Sequence, residues 1–268
     1  MDDYCNYAMV TGAGKGLGKS IARELAMNGY NLLLLAQKGE GLPLFCKELH
    51  QIFNVRAECL EIDFLWPDAL SQIKAMLGKY EIKVLVNNAG VGGSMFFEQS
   101  NLAYIDTIVQ VNVRMVAMIT HLLIPKLKEH TESFILNVAS MASCCPIAYK
   151  TVYPASKAFV YSFSKSLAHE LRPHGVRVSV LLPGPIKTNS EVAQRIEKQG
   201  WWVKAGLQTP QQLAAIAIHK MLHHKKVIIP GWINKINWVL LKLVPQSLSI
   251  FMVSRAVKNE IDMVGQVA

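Results

Sequence analysis

Short apolar runs alternate with longer amphipathic stretches along this chain, and that pattern leaves few folds open to it. The apolar runs have the length of buried β-strands, and they begin near residue 9 and at Asn31, Arg56, Lys83, Phe134, Arg177 and Lys225. The stretches between them, among them 19–28, 104–128 and 155–171, have the periodicity of helices. Such alternation is typical of repeated βαβ units. It predicts an α/β fold, namely a doubly wound, mainly parallel sheet of about seven strands with helices on both faces.

Nothing in the chain marks a domain boundary. Its 268 residues contain no internal repeat, no low-complexity tract and no Gly/Ser linker, so we predict a single domain over 1–268. Two acids at the N-terminus stand where a secretory signal would need basic residues, which predicts a cytoplasmic protein.

Cysteine usage and charge limit the classes of partner. The five cysteines are an odd number without CxxC spacing, so they indicate reduced thiols, and we predict no metal site. A net charge of +9 permits anionic partners. No basic run is interleaved with aromatic residues, however, so nucleic acid is not an expected partner.

The first apolar run leads through a glycine-rich turn, TGAGKGLG, directly into a helical stretch. Residues without side chains let backbone N–H groups and a helix N-terminus approach a pyrophosphate, so we expect a dinucleotide to bind there. The expected cofactor contacts in this turn are Gly12, Gly14, Lys15, Gly16, Leu17 and Gly18. A tight turn that needs glycine but binds no ligand is the alternative interpretation.

The end of the second apolar run bears on the choice of cofactor. An acid about twenty residues beyond the glycine turn would bind the ribose hydroxyls of NAD(H), but Ala36 and Gln37 stand there instead. Lys15 and Lys38 could neutralise the 2′-phosphate of NADP(H). We therefore expect NADP(H), with NAD(H) as second choice, and count Gln37 and Lys38 among the contacts. Solvated surface lysines are the alternative.

Two further segments carry residues suited to proton transfer. Ser140 ends one apolar run, and YPASK begins thirteen residues later, so a helix there would place Tyr153 and Lys157 one turn apart on the same face. When hydride reaches or leaves a carbinol carbon, the oxygen must gain or lose a proton. We expect the Lys157 ammonium to lower the pKa of Tyr153 into a working range, and Ser140 to hydrogen-bond the substrate oxygen.

These motifs, in this order, resemble those of the short-chain dehydrogenase/reductase family. Gly12, Gly16 and Gly18 match its TGxxxGxG spacing, and the resemblance extends over nearly the whole chain. It implies a Rossmann-type fold, an oxidoreductase that acts on CH–OH groups with NAD(P), and a homodimer or homotetramer. It also implies roles for residues outside the turn: Asp63 near the adenine, Asn88, Ala89 and Gly90 of the NNAG motif in the cofactor cleft, Asn112 in a proton relay through water, and Pro183, Gly184, Ile186 and Thr188 on the nicotinamide side.

Two functions remain open at this point. The first is hydride transfer between nicotinamide and a secondary alcohol, ketone or aldehyde, with an apolar or lipid-like substrate. The second is a non-catalytic NADP(H)-binding sensor or interaction protein on the same fold. The joint presence of Asn112, Ser140, Tyr153 and Lys157 favours the enzyme, because a sensor does not need a lysine beside a phenol. A lone serine or asparagine at these positions could equally be structural.

Two late segments are expected to shape substrate access. Residues 189–207 should form a lid over the substrate, in which Trp201 and Trp202 offer apolar area. Residues 232–268 form an apolar extension that Lys242, Pro245 and Gln246 interrupt too early for a membrane span. The extension either packs over the pocket or a partner subunit, which we favour, or makes peripheral contact with an anionic membrane.

Overall fold

The computed structural model of the chain describes residues 6–186 and 207–265. In them one sheet of seven parallel strands has the order β3-β2-β1-β4-β5-β6-β7. The strands are β1 (Tyr7–Thr11), β2 (Asn31–Ala36), β3 (Ala57–Glu61), β4 (Ile82–Asn87), β5 (Ser133–Val138), β6 (Val176–Leu181) and β7 (Val227–Ile228). The strand order reverses between β1 and β4, so a crevice opens at their carboxyl ends. The predicted Rossmann-type fold is confirmed.

Helices cover both faces of the sheet, because each crossover between parallel strands returns over a face. The helices are α1 (Gly16–Met27), α2 (Leu42–Phe53), α3 (Ala69–Leu77), α4 (Leu102–Val109), α5 (Met115–Lys128), α6 (Val152–Glu170), α7 (Pro210–Leu222), α8 (Trp232–Leu243) and α9 (Gln246–Gly265). The helices α1, α2 and α7 pack on one face of the sheet. The helices α3, α5 and α6 pack on the other.

The run NLLLLA in β2 shows why an uninterrupted apolar strand suits this fold. Leu32 and Leu34 belong to the core under α1, α2 and α7, whereas Leu33 and Leu35 belong to the core under α3, α5 and α6. All four side chains are buried. A central strand with helices on both sides has no face left for polar residues.

A single helical run from Leu102 to Lys128 crosses one face of the sheet. It contains a π turn at Gln110–Arg114 between α4 and α5. Among the described residues it is the one helix long and apolar enough to span a membrane by length and composition. Met115, Ile119 and Leu123 are fully buried in the core beneath it, as in the central helix of an α/β domain.

Several element boundaries differ from the predicted ones by a few residues, and two of the differences have a local cause. The helix α1 begins at Gly16, inside the glycine turn, rather than at residue 19. The strand β7 covers only Val227–Ile228 instead of 225–231. Pro230 explains its early end, since proline lacks the N–H that a further ladder bond requires.

Candidate active site

A cavity of about 500 Å³ lies at the carboxyl ends of β1, β2 and β4, where the strand order reverses. Its size suits a small-molecule or cofactor site. Most of the residues predicted to contact the dinucleotide line it: Gly12, Lys15, Gly16, Leu17, Gly18, Gln37, Asp63, Asn88, Ala89 and Gly90. Segments far apart in the sequence thus form one site, as the strand topology requires.

Gly14 and Lys38 do not line this cavity, although we expected contacts from both. The space beside Gly14 is taken by Glu40, whose Cβ would lie 2.5 Å from a Cβ built at position 14. Glu40 lines the cavity and forms an ion pair of 2.7 Å with Lys15. Sequence reasoning missed Glu40, which stands between two glycines in a segment that looks like an ordinary turn.

Asp63, which the family resemblance places near the adenine, forms a turn at the edge of the cavity. Its carboxylate accepts a hydrogen bond of 2.9 Å from the Leu65 backbone N–H, as a turn-forming acid does. It also lines the cavity.

The glycine turn is held at close range by the strand β4 beside it. Gly12 has a φ of +66°, and a Cβ there would lie 2.9 Å from Ala89 Cα. The Asn88 side chain donates to the Thr11 and Gly12 carbonyls at 2.9 and 3.1 Å. The Thr11 hydroxyl in turn accepts from the Asn88 and Ala89 N–H groups at 3.0 and 3.1 Å. The absence of side chains at Gly12, Gly16 and Gly18 leaves backbone groups of the turn accessible along the cavity, which fits a dinucleotide. Thr11 holds this turn in place, although the sequence reasoning missed it.

Asn87, the first residue of NNAG, faces away from the cavity and ties the sheet together. Its amide donates to the Thr120 hydroxyl at 2.9 Å and to the Asn137 amide oxygen at 2.8 Å. The Asn137 amide nitrogen donates in turn to the Ser164 hydroxyl at 2.8 Å. The network links β4 to β5, α5 and α6, the elements that carry the reactive side chains.

Ser140, Tyr153 and Lys157 converge at the carboxyl end of β5. The helix α6 begins at Val152, so Tyr153 and Lys157 do lie one turn apart on one helix. The Ser140 hydroxyl lies close enough to the Tyr153 phenol to lower its pKa, and it accepts a hydrogen bond of 3.1 Å from the Ala142 N–H. The Lys157 ammonium is buried and donates to the Val138 carbonyl at 3.0 Å.

The electrostatics of this group differ from the expectation. We predicted that Lys157 lowers the pKa of Tyr153, but burial raises that pKa, and the hydrogen bond from Ser140 offsets only part of the rise. Burial also lowers the pKa of Lys157 to about 8. Both shifts have the same cause, because a site with little water disfavours any charged form. The expectation failed because the Lys157 ammonium donates to the Val138 carbonyl of β5 and does not lower the pKa of Tyr153.

Two glycines provide room for these side chains. A Cβ at Gly92 would lie 2.5 Å from Cδ2 of the Tyr153 ring, and a Cβ at Gly90 would lie 2.9 Å from Lys157 Nζ. The loop after β4 therefore packs directly against both reactive groups. Larger residues would displace them.

Asn112 lies in the π turn and fixes the same loop. Its amide oxygen accepts from the Val91 N–H at 2.9 Å, and its amide nitrogen donates to the Val91 carbonyl at 2.8 Å and to Ser156 Oγ at 3.0 Å. Ser156 in turn donates to the Tyr153 carbonyl at 2.7 Å. The Asn112 side chain thus positions the loop and the Tyr153 helix turn. Ser156, which lies within the YPASK motif, connects Asn112 to the Tyr153 backbone. The spacing of the motif did not predict this role.

The segment after β6, which includes the expected contacts Pro183, Gly184 and Ile186, does not line the cavity but packs against the residue after Ser140 and against the start of α8. The Pro183 carbonyl accepts a hydrogen bond of 3.0 Å from the Met141 N–H. Ile186 and Gln208 form an isolated parallel β-bridge. A Cβ at Gly184 would lie 2.7 Å from both polar atoms of the Asn234 side chain, at the start of α8. Thr188 and the predicted lid, apart from its last residue, lie outside the described residues.

Comparison with known proteins agrees with this arrangement. A model of the short chain dehydrogenase family matches residues 6–199. Very-long-chain 3-oxoacyl-CoA reductase from Rattus norvegicus is 31% identical over 85% of this chain and 76% of its own.

Two solved structures extend the comparison. A short-chain dehydrogenase from Sphingobium yanoikuyae in complex with NADPH superposes with a TM-score of 0.76 at 26% identity, over 91% of this chain and 95% of that one. A 3-ketoacyl-(acyl-carrier-protein) reductase from Brucella melitensis complexed with NADH gives 0.71 at 29% identity, over 85% and 97%. The predicted cofactors, NADP(H) with NAD(H) as second choice, are confirmed as those that such neighbours bind.

The family match covers most of the chain, including the glycine turn, NNAG, Ser140 and YPASK. The predicted reaction class, hydride transfer that interconverts alcohol and carbonyl groups, is confirmed as well. The chain belongs to the short-chain dehydrogenase family.

Proposed function

We propose that this protein reduces the carbonyl group of an apolar ketone with NADPH, and that Tyr153 donates the proton to the carbonyl oxygen. The main support is the placement of Tyr153 and Lys157 one turn apart on α6, beside Ser140 at the carboxyl end of β5, where burial raises the pKa of the Tyr153 phenol above the ordinary value. A phenol that is protonated at neutral pH can supply the proton that the carbonyl oxygen needs in the reductive direction.

Each neighbouring group has a role in the proposal. Ser140 hydrogen-bonds the substrate oxygen and aligns it with the phenol. The buried Lys157 ammonium stabilises the negative charge that develops on Tyr153 as its proton leaves. Asn112 is a positioning residue, since its amide is engaged with Val91 and Ser156.

The cofactor is proposed to lie along the cavity, with its pyrophosphate on the turn from Gly12 to Gly18. NADPH supplies the hydride when it is bound. The neutral Gln37 at the end of β2 and the cation of Lys15 at the cavity support NADP(H) ahead of NAD(H).

We propose a long-chain 3-oxoacyl thioester as the substrate class to test first. The rat relative and the Brucella neighbour are both named as reductases of 3-oxoacyl groups on different carriers. The proposed lid at 189–207, with Trp201 and Trp202, would supply apolar surface for the acyl chain.

Substitution of the proton donor tests the reaction. Tyr153→Phe should lower kcat for 3-oxoacyl-CoA about 10² to 10⁴-fold, because only the proton-transfer group is lost. The Kd of NADPH should stay within about twofold of the wild-type value, since the ring remains in place. Tyr161→Phe, on the same helix, is the matched control. Wild-type turnover by Tyr153→Phe contradicts the mechanism, and wild-type protein that binds NADPH but reduces no ketone supports the sensor instead.

We further propose that the single domain, 1–268, works in the cytoplasm at a membrane surface, to which the extension 232–268 attaches it. One face of α8 and α9 packs on the body of the protein: Ile233 and Val257 are buried, and Ser254 Oγ accepts from the Ala148 N–H at 2.9 Å. The other face exposes large apolar side chains, namely Trp232, Ile236, Val239, Leu240, Leu243, Leu248, Phe251 and Met252.

The charges around this apolar face favour an anionic lipid surface as its partner. Four cations stand in the two helices, Lys235, Lys242, Arg255 and Lys258, and the two acids, Glu260 and Asp262, follow the exposed apolar residues in the last turns of α9. An apolar face with basic residues is typical of helices that lie in the membrane interface.

Liposome co-sedimentation tests the membrane contact. Leu243→Ser combined with Phe251→Ser should abolish binding to vesicles that contain phosphatidylserine. Leu44→Ser, which changes an exposed apolar residue on α2, should leave binding intact. Equal sedimentation of both variants contradicts the proposal.

A homodimer or homotetramer is the proposed assembly. Exposed apolar residues along α4, α5 and α6, among them Leu102, Val109, Met118 and Phe159, support a contact between copies on that side. Light scattering after gel filtration without detergent measures the assembly, and a monomer at micromolar concentration contradicts it.

A further inference from the structure

We infer that Glu40 sets the choice between NADPH and NADH, because it competes with the 2′-phosphate for Lys15. The inference rests on the proposed function, in which the cavity holds a nicotinamide dinucleotide. It adds a specificity-determining residue that the motifs of the sequence do not include.

The two members of the ion pair differ in freedom. The Lys15 side chain is 80% exposed, whereas the Glu40 side chain is 16% exposed. Lys15 can therefore turn toward another anion at little cost, while Glu40 stays at the cavity wall.

The local backbone directs Glu40 inward. It stands between Gly39 and Gly41, with φ values of +86° and +71°, which ordinary side chains rarely adopt. The Glu40 N–H donates to the Gln37 carbonyl at 3.4 Å and closes the turn. Gly14 leaves the space in which the acid lies, since a Cβ there would meet the Glu40 side chain. Four residues of the chain thus combine to hold one carboxylate in the cofactor cavity.

The position of Glu40 matches the part of a dinucleotide in which NADPH and NADH differ. It lines the cavity next to Ala36 and Gln37, at the carboxyl end of β2, where folds of this type bind the adenosine ribose. Ribose hydroxyls can donate hydrogen bonds to a carboxylate, which accepts only. A 2′-phosphate carries about two negative charges and donates none at neutral pH, so the same carboxylate repels it.

Lys15 and Glu40 therefore oppose each other in cofactor selection. A bound 2′-phosphate draws Lys15 away from Glu40 and leaves the acid beside a second anion. A bound diol leaves the ion pair intact. The chain should consequently accept both cofactors, with a preference for NADPH that Glu40 holds below what Lys15 alone would give.

Neutralising the acid tests the inference. Glu40→Gln should shift the ratio of the NADPH and NADH dissociation constants at least about tenfold in favour of NADPH, since repulsion of the phosphate is lost and Lys15 is freed. Both constants are measured by calorimetric titration without substrate. The shift should shrink as salt is raised, because charge interactions at a partly exposed site are screened.

Two further variants separate charge from structure. Glu48→Gln removes the same charge from another ion pair between α1 and α2, that of Arg23 and Glu48, and Glu48 does not line the cavity. It should leave the ratio within about twofold of wild type. Glu40→Asp keeps the charge and should leave the ratio within about threefold.

The outcomes distinguish this inference from the proposed function. A wild-type protein that binds neither dinucleotide overturns both. Binding of both cofactors by the wild type, with a ratio that Glu40→Gln moves no more than Glu48→Gln, overturns the inference alone. An equal shift in Glu40→Asp and Glu40→Gln overturns it too, because loop geometry rather than charge would then be the cause.

Discussion

Lys157 makes the unfolding free energy of this protein depend on pH, and Lys157→Met should remove that dependence. The ammonium is buried beneath Gly90 and has the Val138 carbonyl as its hydrogen-bond acceptor. Burial lowers its pKa to about 8, against 10.5 for an ordinary lysine. Methionine has a similar length without the charge, so it fills the same space.

The sign follows from proton binding. Between pH 8 and 10.5 Lys157 is protonated in the unfolded chain but mostly neutral in the folded protein. The unfolding free energy of the wild type therefore increases as pH rises through that window. Below pH 8 both states are protonated, and the full cost of burying the charge, about 3 kcal/mol, is present. At about pH 9.5 roughly 1 kcal/mol of that cost remains. The stability difference between Lys157→Met and wild type should therefore change by about 2 kcal/mol between pH 7 and pH 9.5.

Urea unfolding of both proteins at the two pH values, followed by circular dichroism, measures the change. Other groups that titrate in this range occur in both proteins and cancel in the difference. The unfolding free energy of Lys157→Met minus that of the wild type should be larger at pH 7 than at pH 9.5. A difference that does not vary with pH would mean that the Lys157 ammonium is well solvated or paired in the folded protein, and would refute the reasoning.

Two more substitutions test the packing around the reactive groups. Asn112→Ala leaves the Val91 N–H and carbonyl without their side-chain partner, so urea unfolding should show a loss of about 3 kcal/mol, and a loss under about 1 kcal/mol would show that the loop finds other partners. Gly92→Ala places a methyl group 2.5 Å from Cδ2 of the Tyr153 ring, so kcat should fall at least about tenfold while NADPH binds normally. Gly78→Ala, where the nearest atom would be 3.8 Å away, is its control, and equal kcat in the two variants would contradict the packing argument.

The fold could be predicted from the sequence because its signals are repeated. Each apolar run, such as NLLLLA, carries enough information to be recognised as a strand buried on both faces, and parallel order follows from the helices between the runs. The ends of elements depend on single residues. Pro230 shortened β7, and the start of α1 at Gly16 depends on the turn rather than on periodicity.

The candidate site was predictable where spacing fixes geometry. Tyr153 and Lys157 lie on one helix because four residues make about one turn. Spacing does not tell which acceptor an ammonium will reach, and so the pKa of Tyr153 was predicted with the wrong sign. Glu40 was missed for a similar reason: its inward direction depends on the positive φ angles of Gly39 and Gly41, which no periodicity reveals.

Asn234 joins the C-terminal segment to the loop that follows β6. Its buried side chain sits against Gly184, at the exit of β6, and donates to the Pro230 carbonyl at 2.9 Å. Removal of the chain from Trp232 onward would therefore open a void beside the segment after β6, in addition to removing two surface helices. Amino-acid changes at Gly184 and Asn234 should accumulate only in concert, so the beginning of α8 should vary less than the exposed apolar positions of the same helix.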